Sequence, residues 1–224
     1  MSKKTRFTIS VIINIIMVII TCVGLMVMVF NNHDSATGLT ATGLENLKFY
    51  TVLTNLSAGI VALYVLIYWA VSKKREVTKH IVILKLMSVA GVGLTFFTVA
   101  LFLGPIYGHS LLYRDANLYF HLILPLVSMI EFLLLCINKS NFPFRYSFLT
   151  MIPPFIYGVA YLGNIMINGK GEWPETNDWY GFLNWGLGVG LIIFLFIILA
   201  SWGISLGLRG LNILFDRILT RHNS

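Results

Sequence analysis

Six apolar runs, each of about twenty residues or more, dominate this chain: roughly 7–30, 48–71, 81–104, 117–138, 148–167 and 182–206. At 1.5 Å per residue, about twenty helical residues cross a hydrocarbon core of roughly 30 Å. In lipid, every backbone N–H and C=O must be satisfied within the protein, so a spanning segment is a helix or a strand of a closed barrel. Period-two alternation of the barrel kind is absent, and the runs therefore predict helices. The expected fold is all-α, a bundle of six transmembrane helices forming one integral membrane domain over residues 1–224.

Composition excludes the main alternatives. Hydrophobic residues make up 57% of the chain and charged residues 11%, too few charges to cover a soluble domain of this size. The formal net charge of +7 does not mark a nucleic-acid binder, because the basic residues sit at the ends of the runs and form no aromatic-interleaved patch. They report topology instead. Lys3, Lys4 and Arg6, then Lys73, Lys74, Arg75 and Lys79, then Lys139 and Arg145, then Arg209, Arg217 and Arg221 form one set. The alternate loops carry Arg114 and Lys170 among Asp34, Glu45, Asp115, Glu172, Glu175 and Asp178. This asymmetry predicts that both termini are cytoplasmic. The first run follows basic residues, as a signal peptide does, but it is too long for one and no small-residue cleavage site follows, so it reads as a retained anchor. Cys22 and Cys136 fall at different depths of different runs. Neither a disulfide nor a metal or cofactor site is expected from them.

Polar groups inside such runs are costly, and each is a candidate for function. On the second run Thr51, Thr54, Asn55, Ala58 and Ala62 recur at helical spacing and make a narrow stripe of polar and small residues. Such a stripe either glues helices together or presents chemistry. On the fourth run His121 lies about one turn in, followed by Pro125, Ser128 and Glu131. In an α-helix Pro125 cannot donate to the carbonyl four residues back, that of His121, so a kink is expected there and the freed carbonyl needs a partner. Both runs enter from the same side, which puts Thr51 and His121 at matched depth. A histidine simply bonded to a neighbouring helix is the other reading. Glu131 is about 15 Å deeper than His121, too far to orient its ring. Lys85, on the third run, is the expected counter-charge of Glu131.

Two further patterns carry less chemistry. The loop holding Trp173, Trp179 and Tyr180 reads as an interfacial aromatic belt or a lid. Gly186-Leu187-Gly188-Val189-Gly190 lacks the strand that precedes a nucleotide loop. Gly186 with Gly190, and Gly203 with Gly207, have instead the four-residue spacing of close helix contacts.

Three segments in this order carry a resemblance: Lys48-Phe49-Tyr50-Thr51 heading the second run, His121 with Pro125 and Glu131 in the fourth, and Trp179-Tyr180-Gly181-Phe182-Leu183 before the last. Together with the six-run layout they resemble the androgen-induced-gene and androgen-dependent TFPI-regulating protein family of six-pass membrane proteins. Thr54-Asn55 is similar to its bacterial branch, which implies a bacterial plasma membrane. Animal members of that family are intramembrane hydrolases with a threonine nucleophile and a histidine, cleaving fatty acid esters of hydroxy fatty acids. The resemblance implies the same roles for Thr51 and His121, a lipid or acyl ester from the bilayer as substrate, and no cofactor.

Such chemistry makes definite demands. A threonine hydroxyl becomes a nucleophile only when a base takes its proton, so His121 must reach Thr51 within about 3 Å. Asn55, one turn below Thr51, is the expected oxyanion donor, with Trp179 or Tyr180 as further candidates. A membrane acyltransferase would use the same acyl-threonine with an alcohol in place of water. A non-catalytic transporter or scaffold is the alternative from another class. The lack of a visible repeat and the clustering of polar groups near one face weigh against transport.

Overall fold

The computed structural model of the protein describes residues 3–30, 43–72, 77–135, 143–172 and 175–221. Asp34, Lys73, Lys74, Arg75, Cys136, Lys139 and Trp173 lie outside them. Among the described residues every regular element is helical. Six helices are long and apolar enough to cross a membrane: span 1 Thr5–Phe30, span 2 Tyr50–Ser72, span 3 Lys79–Tyr107, span 4 Asp115–Leu133, span 5 Phe144–Asn168 and span 6 Leu187–Phe215. Their outer faces carry large exposed apolar side chains such as Ile19, Ile60 and Ile192, the surface that a lipid-immersed bundle presents.

Each predicted run corresponds to one span, with two informative shifts. The sixth helix starts at Leu187, not near 182, and continues to Arg221. The residues before it turn, and Gly186 takes a φ of +89°, a conformation open to glycine without strain. The third span extends past residue 104 through Pro105 to Tyr107. It absorbs that proline by a π segment, as shown below.

Span 3 is the central element. One core cluster joins Val82, Leu86 and Val89 of span 3 to Met129 and Phe132 of span 4 and Leu208 of span 6. A second joins Met17, Ala58, Ala62, Val92 and Leu124 across spans 1 to 4. Small residues set the closest approaches. Gly24 faces the Phe120 ring, Gly59 faces Thr21, and Gly91 faces Thr54. The glycines expected to make such contacts do not: Gly203 and Gly207 meet nothing among the described residues, and Gly190 packs on Leu183 of the stretch of chain just before its own helix. Four-residue spacing marks a helix face but does not say that another helix covers it.

Spans 3 and 4 share a backbone device. In span 4 the segment Tyr119–Ile123 is a π-helix, and the Leu124 N–H reaches back five residues to the Tyr119 carbonyl. The next donor in that register belongs to Pro125, which has no N–H, so the carbonyl left over is that of Phe120. In span 3 the π segment Val99–Leu103 ends with the Gly104 N–H on the Val99 carbonyl. Pro105 follows and the Ala100 carbonyl is left over. Each orphan finds a side chain. Asn55 Nδ2 donates to Phe120 O at 2.9 Å, and the His109 ring, through Nε2, bonds Ala100 O at 3.0 Å. The carbonyl freed by Pro125 is thus that of Phe120 and not of His121, because the helix is wound in π register there.

At the other end of the bundle lies a buried ion pair. Lys85 Nζ is 2.6 Å from Glu131 Oε1, with side chains 4% and 1% exposed. The Ser10 hydroxyl and Asn14 Nδ2 each donate to the same carboxylate oxygen at 3.0 Å, and Lys85 also donates to Asn14 Oδ1 at 3.0 Å. Three spans meet in this network, and the counter-charge expected from sequence is the one found.

Candidate functional site

A helix leaves its first N–H groups without intrahelical partners. At span 2 one of these belongs to Tyr50, and it is met by a residue 130 positions away. The Tyr50 N–H donates to the Tyr180 phenol oxygen at 2.9 Å. Thr51 lies beside the same oxygen and, with the Tyr50 N–H, helps to polarise it. Burial pushes the Tyr180 hydroxyl up to about 12 from its ordinary 10.0, against the lowering pull of the Tyr50 N–H.

Tyr180 is held there by a strap, residues 175–186, folded back onto the bundle. The buried Asp178 carboxylate organises it, accepting from the Tyr161 hydroxyl at 2.5 Å and the Leu183 N–H at 3.0 Å, with Lys170 Nζ 3.5 Å away. Trp179 Nε1 donates to the Tyr157 hydroxyl at 3.0 Å, and Tyr157 donates to the Lys48 carbonyl at 2.7 Å. Trp179 and Tyr180 also pack on the cluster of Met28, Phe49, Val52 and Phe120. Of the two readings of the aromatic loop, the strap over the bundle end is what these contacts describe.

His121 lies within the π segment, and its Nδ1 is 3.0 Å from the carbonyl of Leu112, the last residue of the short helix His109–Leu112. A carbonyl can only accept, so Nδ1 carries the proton and, in the neutral ring, the lone pair is on Nε2. The Thr51 and His121 side chains are not bonded to each other: Thr51 lies beside Tyr180, and His121 turns to Leu112. Asn55 links their turns. Its Nδ2 donates to the Thr51 carbonyl at 2.7 Å and to the Phe120 carbonyl at 2.9 Å, spanning from the turn of one to the residue before the other.

That geometry changes the part expected of Asn55. Both amide hydrogens are taken up by carbonyls, and the atom without a partner among the described residues is Oδ1, an acceptor. Flipping the amide would set that oxygen against two carbonyl oxygens. Asn55 is therefore a bridge between spans 2 and 4 and not an oxyanion donor in this arrangement. The Thr54 hydroxyl donates to the Thr51 carbonyl at 3.0 Å, and its side chain lines a cavity between spans 2 and 5 whose wall does not include Thr51. Glu131 stands apart in the network with Lys85.

Sequence reasoning passed over Tyr50, Tyr157 and Asp178, whose importance arises from partners far along the chain. It also passed over Ser10 and Asn14. There a signal existed, because two polar residues four apart inside an apolar run share one helix face.

Compared with protein-family models, with curated proteins and with solved structures, the chain matches none. What fold and site define is a six-span, all-helical membrane protein with a polar cluster of Thr51, Asn55, His121 and Tyr180 at one end of the bundle.

Proposed function

We propose that this protein is an intramembrane lipid ester hydrolase in which Thr51 is the nucleophile and His121 its base, working near the extracytoplasmic face on acyl lipids such as fatty acid esters of hydroxy fatty acids. One observation carries most of the support: His121 is locked by Leu112 in the tautomer whose Nε2 accepts a proton, on a π turn tied through Asn55 to the turn of Thr51. π segments recur at functional sites because they interrupt regular packing around one side chain. The resemblance in the three sequence segments supplies the reaction type.

In this reading Nε2 accepts the Thr51 hydroxyl proton as Oγ1 attacks the ester carbonyl. The protonated ring then gives that proton to the departing alkoxide, leaving an acyl-threonine. Water, deprotonated by the same nitrogen, cleaves the acyl-threonine, and the ring returns the proton to Thr51. Leu112 holds the ring in place through the cycle. The tetrahedral oxyanion needs donors, and the first-turn N–H groups of Tyr50 and Thr51 are suited to that task. The Tyr180 oxygen, which now accepts from the Tyr50 N–H, is what an oxyanion would displace. Reaction also requires Oγ1 and Nε2 to approach to about 3 Å, a closure that substrate commonly completes.

The test is turnover of a panel of acyl esters by purified protein. Wild type and Thr51→Ser are expected to hydrolyse at least one of them. Thr51→Ala and His121→Ala are expected to lose on the order of a hundredfold or more. Equal turnover in Thr51→Ala would remove the nucleophile assignment.

A further inference from the structure

Span 2 has a second edge, about 100° round the helix from Thr51. There, between spans 2 and 5 and floored by span 3, lies a cavity of about 330 Å³, within the range of small-ligand sites. Its wall is apolar except for the hydroxyl-bearing residues Tyr50, Thr54, Ser57, Ser88 and Tyr157. Three of these are already used: Thr54 donates to the Thr51 carbonyl and Ser88 to the Lys85 carbonyl, each at 3.0 Å, and Tyr157 to the Lys48 carbonyl at 2.7 Å. Tyr50 differs. Its hydroxyl is buried and has no hydrogen-bond partner among the described residues. An unpaired buried hydroxyl is costly, and a site that keeps one is ready for an acceptor.

The cavity opens sideways. Leu53, Leu84 and Ile156 on its lip are 39%, 37% and 60% exposed on the outer surface of the bundle, where the neighbours in a membrane are lipid tails. From Tyr50 to Val61 it follows span 2 for about 16 Å at helical rise, roughly half of a 30 Å hydrocarbon core and so the depth of one leaflet. Tyr50 is the first residue of the span, at the level where lipid carbonyls lie. Shape, lining and depth match one chain with one acceptor at its outer end.

We infer that this groove binds a single acyl chain of a lipid entering from the bilayer, the lipid carbonyl oxygen accepting a hydrogen bond from the Tyr50 hydroxyl. The inference deepens the hydrolase reading, on which it rests for taking the bound lipid as substrate, since the groove begins at the turn that carries Thr51. Binding itself requires neither Thr51 nor His121.

The test is photo-crosslinking of a long-chain fatty acid with a diazirine in its tail to the full chain in phosphatidylcholine nanodiscs, with the labelled peptides mapped by mass spectrometry. Labelling is expected to saturate, to fall about tenfold with excess unlabelled fatty acid, and to map to the facing stretches 53–61 and 153–160. Thr51→Ala should label as wild type does. Ser57→Trp, which fills the groove from an exposed position, and Val61→Phe as an independent block should each abolish the saturable part, and Tyr50→Phe should need more fatty acid to saturate. Unsaturable labelling spread over the outer faces of all six spans would overturn the inference, as would labelling indifferent to both blocking variants. Ester hydrolysis without saturable labelling would overturn the groove alone. Saturable labelling without hydrolysis would support the groove and remove only the hydrolase reading.

Discussion

Buried polar residues in a membrane bundle are useful to the extent that their partners are complete. Glu131 Oε1 has three, Lys85, Ser10 and Asn14, while Oε2 has none among the described residues. Removing one charge of such a pair leaves the other buried and uncompensated, typically at a cost of about 3–5 kcal/mol. Lys85→Met is therefore expected to lower the thermal midpoint in detergent sharply, and Lys85→Met with Glu131→Leu to recover most of the loss. A single substitution without effect would mean that the pair contributes nothing. Asn55 is less complete, with both amide hydrogens placed on carbonyls and Oδ1 without a partner among the described residues. Asn55→Ala strips the Thr51 and Phe120 carbonyls of a donor, a loss on the order of 1–3 kcal/mol by the same measurement. The Lys85–Glu131 pairing was legible in the sequence, because a charge in an apolar run has few places to go. The role of Asn55 was not. Its position one turn from Thr51 suggested donation to an intermediate, while its actual partner is a carbonyl whose loss of a backbone donor depends on a π register.

At the scale of elements, the π segments and the strap decide the site. Hydrophobic period alone does not separate one π turn from an α turn, so Pro125 pointed to the His121 carbonyl when the affected one is Phe120. The bridge makes a quantitative claim. Pro125→Ala restores an N–H that can serve Phe120 O, so Asn55→Ala should cost less in that background, by roughly 1 kcal/mol in a double-mutant cycle. Strict additivity would contradict the register assigned here. The strap makes another claim. Tyr180 ionises in the folded protein at about 12, above its ordinary 10.0, so the unfolded chain releases that proton first. The stabilisation this represents is whole below pH 10 and is lost as pH rises from 10 toward 12. The difference in melting midpoint between wild type and Tyr180→Phe should be flat through neutral pH and shrink across that window. A difference that held unchanged to pH 12 would show that Tyr180 is not held as described.

For the whole molecule, six spans were legible because only length and apolarity are needed to cross lipid, and both are written locally in the chain. Which spans touch was much less so. The glycine spacing in span 6 pointed to a contact that does not form, while Gly24, Gly59 and Gly91, with no paired spacing, make the close approaches. The even number of spans and the Lys/Arg asymmetry lead to one further expectation. Tags at both termini should resist protease added outside intact cells and be cut in inverted vesicles. Opposite behaviour of the two tags would contradict a six-span layout.

In the proposed reaction the Thr51 hydroxyl attacks an ester with His121 as its base. A fluorophosphonate probe reports this directly, because it bonds to an activated hydroxyl at the atom that reacts. Mass spectrometry of the labelled protein should locate the adduct on Thr51. The adduct should be lost in Thr51→Ala and in His121→Ala, and kept in Thr54→Ala. An adduct on another hydroxyl such as Ser57, or labelling undiminished by His121→Ala, would contradict the account.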